Sequence, residues 1–242
     1  MIRVTIWNEY VHEQTREDVR AAYPQGIHGA LAEAFGDEEF AVTTVTMDMP
    51  DNGLSAELLA QTDVLLYWAH CAHHKMPDEA AVRVQQAVLG GMGVVFLHSA
   101  HASKAFKALM GTACSLHWRE EGETERLWIV EPEHPIVCGV QAPIDIPHEE
   151  MYGEPFRVPT PEQVVLLGSF AGGEAFRAGC CWHRGMGRVF YFQPGHETYP
   201  TYYLPKVQQI IRNAARWAAR TDTVKQDELY LSAFTPRIPF EP

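Results

Sequence analysis

The chain has 242 residues and a formal net charge of −12 at pH 7, which argues against nucleic acid and anionic membranes, since both select basic surfaces. At 46% hydrophobic and 21% charged it can bury a sizeable core, and no apolar run reaches the roughly 20 residues that span a bilayer. The five cysteines (Cys71, Cys114, Cys138, Cys180 and Cys181) lack CxxC spacing and fit a reducing compartment, and residues 1–7 read as a strand, not a secretory leader, so a cytoplasmic location is expected.

In chain order, residues 2–7 predict a first strand, 26–35 a helix stopped by Gly36, 41–46 a second strand and 64–68 a third. Residues 77–89 open on Pro77 with Asp78 and Glu79 in the first turn and stop at Gly90 and Gly91, which is helix start and stop chemistry. Residues 94–98 predict a fourth strand and 102–110 a helix ended by Gly111. This alternation implies a parallel sheet covered on both faces. Between 114 and 174 the pattern loosens into a more antiparallel section with strands at 126–130 and 164–169. There the charged run 119–126 reads as a solvated face, and Glu149, Glu150 and Glu154 as a turn, with Glu149 solvated. Residues 175–181 are expected to pair as a hairpin with the strand 188–192 through 182–187. The longest helix, 202–219, carries Val207, Ile210, Ile211, Ala214 and Trp217 on one face.

These elements predict one α/β domain over residues 1–220. The segment 221–242 holds Tyr230, Leu231, Phe234, Ile238 and Phe240 between prolines. It is expected to pack on the domain or on a neighbouring subunit, which favours a homo-oligomer. The glycines at 90, 91 and 93 precede a strand instead of following one, so no nucleotide cofactor is expected.

Side chains suited to chemistry collect where strands end. His70, His73 and His74 follow the third strand, His98 and His101 close the fourth, and His196 and Glu197 follow the strand 188–192. His12 and Glu13 follow the first. A parallel sheet holds its ligand at the carboxyl ends of its strands, and imidazole both transfers protons near neutral pH and binds metals. His98 stands at the strand–turn–helix position where hydrolases place a nucleophile, without the glycines that would flank Ser99 as one. Tyr199, Tyr202 and Tyr203 offer faces and hydroxyls to a sugar, with core packing the plainer role for at least two of them.

Six motifs, WNEYVHE (7–13), WAHCAH (68–73), LHSAH (97–101), LMGTAC (109–114), EMYGEP (150–155) and PGHETYP (194–200), together resemble the ThuA-like trehalose-utilisation family over about residues 2–218. The resemblance implies a flavodoxin-like α/β fold of the class I glutamine amidotransferase type, a three-layer sandwich on a mostly parallel sheet. His98 then takes the place of the amidotransferase cysteine, and His196 with Glu197 the place of its His–Glu pair, so the scaffold is kept and the chemistry replaced. It implies an enzyme of trehalose or related disaccharide catabolism, linked to a dehydrogenase that oxidises a sugar hydroxyl. The expected roles are catalysis by His98, His196, Glu197 and Glu150, and substrate contacts from Tyr199, His101, Tyr152 and His12. A divalent metal, zinc or manganese, would sit on His70, His73 and His74, with His98 as a further ligand. The alternatives are a sugar-binding or regulatory module without catalysis, and a cysteine hydrolase acting through Cys71.

Overall fold

The computed structural model describes residues 1–36 and 38–219; the segment 221–242 lies outside them. Nine strands are present among the described residues: β1 (Ile2–Asn8), β2 (Phe40–Thr46), β3 (Val64–Trp68), β4 (Gly93–Leu97), β5 (His117–Ile129), β6 (Ile144–Gly153), β7 (Gln163–Ser169), β8 (Ala175–Arg184) and β9 (Gly187–Phe192). The helices are α1 (His12–Thr15), α2 (Glu17–Ala22), α3 (Gly26–Glu33), α4 (Ala56–Ala60), α5 (Asp78–Leu89), α6 (Lys104–Met110) and α7 (Pro205–Ala218).

Every residue of β3 and β4 is buried, as central parallel strands covered on both faces require. α7 buries Val207, Ile210, Ile211, Ala214 and Ala218 and packs on β3, β4 and β9, while α3 lies on β1 and β2. The helix expected from residue 102 begins at Lys104, because residues 98–102 form a 3₁₀ turn and the Ser103 hydroxyl caps the helix by accepting the Phe106 amide at 3.2 Å.

The sheet is mixed, which corrects the mostly parallel expectation. Its order is β2-β1-β3-β4-β9-β8-β7-β5-β6. The pairs from β2 to β9 are parallel and those from β9 to β6 antiparallel. Parallel neighbours need a crossover, and the chain stops supplying crossover helices after α6. The expected β8–β9 hairpin forms, turning tightly at Gly185, whose φ of +58° suits a primed turn.

The antiparallel half is also what completes the site. In a flat sheet β6 would lie about 24 Å from β4, five strand spacings away. Instead, Glu150 of β6 comes within 3.2 Å of His98 at the end of β4. The sheet therefore curls back over its own strand ends. Register shifts in the β5–β6 and β7–β8 pairs supply the bends, since a bulge kinks its strand and increases local twist.

One local expectation fails here and another holds at all but one residue. Glu149 and Glu150 lie within β6, not in a turn, and both are buried. The run 119–126 lies within β5 and is largely a solvated face, as expected, except that its Glu125 is wholly buried against Gly168. Neither carboxyl oxygen of Glu125 has a hydrogen-bond partner, and the same holds for Oε1 of Gln193. Burial, and then the charge of Glu149, push the Glu125 carboxyl well above the carboxylate range.

Near pH 4 and below, both folded and unfolded chains hold the Glu125 proton and the group has no effect. As pH rises above that range only the unfolded chain releases it, so wild-type stability falls. Glu125→Gln is therefore expected to raise the melting temperature at pH 8 but hardly at pH 4, by about 2–4 °C for each kcal/mol recovered. Thermal unfolding at the two pH values checks this; an equal gain at both would show that the carboxyl is not the cause.

Candidate functional site

The site begins with a backbone anomaly. His98 has φ +52°, a left-handed conformation that costs a non-glycine residue about 1–3 kcal/mol and that clusters at functional sites. The ring is fully buried. Its Nδ1–H donates to the Gln193 carbonyl at 3.1 Å, so the neutral ring presents a lone pair at Nε2. That lone pair faces Glu150 Oε2 at 3.2 Å, and neither atom makes a hydrogen bond of acceptable geometry. Two acceptors this close repel unless a proton or a cation lies between them. Burial alone would lower the His98 pKa, but the adjacent Glu150 carboxylate, with Glu149 and Glu197 behind it, outweighs burial and raises it.

The loop after β3 delivers His70. Glu9, buried at the end of β1, accepts the His70 and Cys71 amides at 3.1 and 2.9 Å and so fixes the loop. The His70 ring stacks on His98 with centroids 5.5 Å apart and meets His196 edge-on at 5.0 Å. Its Nδ1 shares a hydrogen bond with the Ser99 hydroxyl at 3.1 Å, which in turn pairs with the Tyr152 hydroxyl at 2.6 Å. Cys71 donates its thiol to Glu9 at 3.1 Å; burial, followed by that bond, pushes it up to about 12, the opposite of an activated nucleophile.

The turn after β9 delivers His196 and Glu197. Glu149, expected in solvent, accepts the Gly195 and His196 amides at 2.8 and 3.0 Å and the Thr201 hydroxyl at 3.1 Å, so it anchors this turn from β6. Gly195 has φ +127° and lies so close to the Tyr202 hydroxyl that any Cβ would overlap it, which explains the glycine. Glu197 is fully buried. Its Oε1 bonds His12 Nδ1 at 2.7 Å and lies 3.5 Å from Arg16 Nη1. Its Oε2 has no hydrogen-bond partner and lies 3.4 Å from His70 Nδ1 and 3.5 Å from His196 Nε2. Burial raises the Glu197 pKa, while burial and then the neighbouring imidazoles, His98 foremost, hold His70 and His196 well below the usual histidine range. The result is two neutral imidazoles, His70 and His196, beside a Glu197 carboxyl oxygen with free lone pairs.

Among the described residues, two groups present metal-ligand atoms within 4.8 Å of one another: His70, His98, Glu150 and His196, and His12, His70 and Glu197. The donor set of the first, three imidazoles and one carboxylate, suits zinc or manganese. The orphaned Nε2 of His98 and Oε2 of Glu150 belong to it.

The structure thus brings together His12, His70, His98, Glu150, His196 and Glu197, and Tyr199 stands beside His196 with ring centroids 5.4 Å apart. It corrects the three-histidine metal set, because His73 and His74 join neither ligand group: the 3₁₀ turn that holds them leaves His74 exposed. His101, expected to touch substrate, packs edge-on against Tyr152 and donates Nδ1–H to the Cys114 carbonyl at 2.8 Å. Tyr152 itself is buried, stacked on His98 at 5.3 Å, so its part is to hold that ring and Ser99 in place. Glu9, Glu149, Gln193, Arg16 and Glu120, whose Oε1 lies 3.6 Å from His196 Nε2, were not legible as site residues; of these only Glu9 falls inside an N-terminal motif that pointed here.

The family model described as ThuA, trehalose utilisation, matches residues 3–218. Among solved structures, a ThuA-like protein from Parabacteroides merdae superposes with a TM-score of 0.63 at 16% identity, covering 93% of this chain and 94% of that one. A ThuA-like protein from Bacteroides uniformis gives 0.64 at 15% identity over 89% and 90%. A cytoplasmic protein from Salmonella typhimurium gives 0.60 at 14% identity over 91% and 100%. At these identities the likeness is one of fold. No curated protein matches the chain. No helix among the described residues is long and apolar enough to cross a membrane.

Proposed function

We propose, from the premise that the chain belongs to the ThuA family of trehalose utilisation, that it is a carbohydrate-catabolic enzyme acting on trehalose or a related disaccharide in its keto form. The observation that carries this reading is the buried Glu197 carboxylate, whose Oε2 is free of hydrogen bonds and faces the His70 and His196 rings.

A C–H next to a ketone is acidic. Glu197 Oε2 takes that proton; the C–H electron pair becomes a C=C bond, and the carbonyl pair moves onto oxygen to give an enediolate. Passage of the hydroxyl proton on the deprotonated carbon to the former carbonyl oxygen, with return of the Glu197 proton to the former carbonyl carbon, moves the ketone one position and isomerises the sugar. Alternatively, the enediolate expels the glycosidic oxygen, which takes the same proton from Glu197, and addition of water to the enone completes a net hydrolysis. His12 orients Glu197 through the bond to Oε1, and Tyr199 offers its ring and hydroxyl beside His196. His70, His98, Glu150 and His196 would hold a divalent ion, zinc or manganese, which would supply positive charge to the developing enediolate oxygen. The substrate would come from a dehydrogenase that oxidises one sugar hydroxyl to the ketone, in the cytoplasm, and the protein would work as a homo-oligomer.

The test is to incubate the purified protein with 3-keto-trehalose, with and without added zinc or manganese, and to follow the sugar by NMR. The expected result is consumption of the keto-disaccharide with solvent deuterium appearing next to the ketone. Binding without exchange or consumption under either condition would overturn catalysis and leave a sugar-binding module.

A further inference from the structure

We infer that Trp118 is a stacking platform for the second ring of the disaccharide, at the rim of the site; this rests on the sugar reading above but concerns a residue outside the His/Glu cluster. The indole is 63% exposed. It sits directly opposite Tyr152 in the β5–β6 ladder, and opposed residues of an antiparallel pair point to the same face of the sheet. That face is the one on which Tyr152 stacks against His98. Two residues along β5, Glu120 reaches 3.6 Å from His196 Nε2. Side chains two apart on a strand are separated by about 7 Å, roughly one pyranose ring. A sugar whose first ring is seated against His196 therefore has its second ring over the indole.

Exposed tryptophans are not in themselves unusual, and Trp128 on the same strand shows what an ordinary one looks like. Its Nε1–H donates to the Ser169 hydroxyl at 3.2 Å, and Arg126 lies over its ring at 5.9 Å. Among the described residues, Trp118 has neither a hydrogen bond from Nε1 nor an aromatic or cationic partner on its ring. A large flat apolar face is left open next to a polar, buried site. Such a face matches the axial C–H face of a pyranose, and an indole loses little side-chain entropy on stacking.

The test compares wild type, Trp118→Ala and Trp118→Phe in the full chain, with trehalose and glucose as calorimetric probes. The expected result is that Trp118→Ala weakens trehalose about three- to tenfold and leaves glucose unchanged, while Trp118→Phe keeps most of the trehalose affinity. Equal losses for both sugars, no loss for trehalose, or no measurable trehalose binding to wild type would overturn the platform. The measurement is independent of turnover. If wild type consumes no keto-sugar yet binds trehalose through Trp118, the catalytic reading fails and the platform stands. If keto-trehalose is consumed with the same KM by Trp118→Ala, the platform fails and the catalytic reading stands.

Discussion

Glu197→Gln is expected to slow consumption of the keto-disaccharide by about 10²–10⁴-fold, the usual contribution of a positioned general base, with little change in KM. Glutamine keeps the shape and can still accept the His12 bond through its amide oxygen, but the atom facing the cluster can no longer take a proton. Folding should survive, because the wild-type chain already suffers the burial of this carboxyl, which is why its pKa is raised. A companion variant, His12→Ala, removes the group that orients Glu197 at 2.7 Å and should cost less than the loss of the base itself. Single-turnover NMR on the three proteins, with melting temperatures alongside, decides the matter. Turnover of Glu197→Gln within a few-fold of wild type would remove Glu197 from the role of base, whatever happens to His12→Ala.

The elements that could be anticipated are those whose pattern is local. β3 and β4 are short apolar runs ended by histidines, so both the strands and the end of the sheet that carries His70 and His98 were legible. The glycine-closed hairpin of β8 and β9 was legible for the same reason. β6 was not. Its sequence, IDIPHEEMYG, mixes proline and charge into a strand, and Glu149 and Glu150 are buried because their partners come from 43 to 52 residues away. A buried carboxylate is tolerated only when paired or hydrogen-bonded, and nothing within a window around residue 149 announces the Gly195 and His196 amides that pay that cost. The histidine clusters mislead in the opposite sense. His70, His73 and His74 look like a set because they are adjacent, but the 3₁₀ turn after Ala72 separates them, and the partners of His70 are His98 and His196 from other strand ends. Spacing in sequence pointed to the end of the sheet where these side chains gather, but not to which of them gather.

The facing lone pairs of His98 and Glu150 carry the second large effect. If a divalent ion resolves their repulsion, saturating zinc or manganese should raise the melting temperature of wild type. At an ion concentration 100 times the dissociation constant the gain is about 2.7 kcal/mol, which is roughly 5–10 °C for a chain of this length. His98→Ala, Glu150→Gln and His196→Ala should each abolish most of that gain, whereas His73→Ala and His74→Ala should retain it, because neither belongs to a ligand group. In the absence of metal the proton that Glu150 favours on His98 joins the two as a buried ion pair, so Glu150→Gln and His98→Ala should each destabilise by about 3–5 kcal/mol, since one charged member is left without its counterpart. The double variant should recover part of that loss, because it leaves no unpaired charge behind. A melting temperature that ignores both metals in wild type would remove the cation and leave a shared proton as what joins the two residues. A gain that survives in Glu150→Gln but vanishes in His74→Ala would move the metal back to the loop after β3, against the geometry described above.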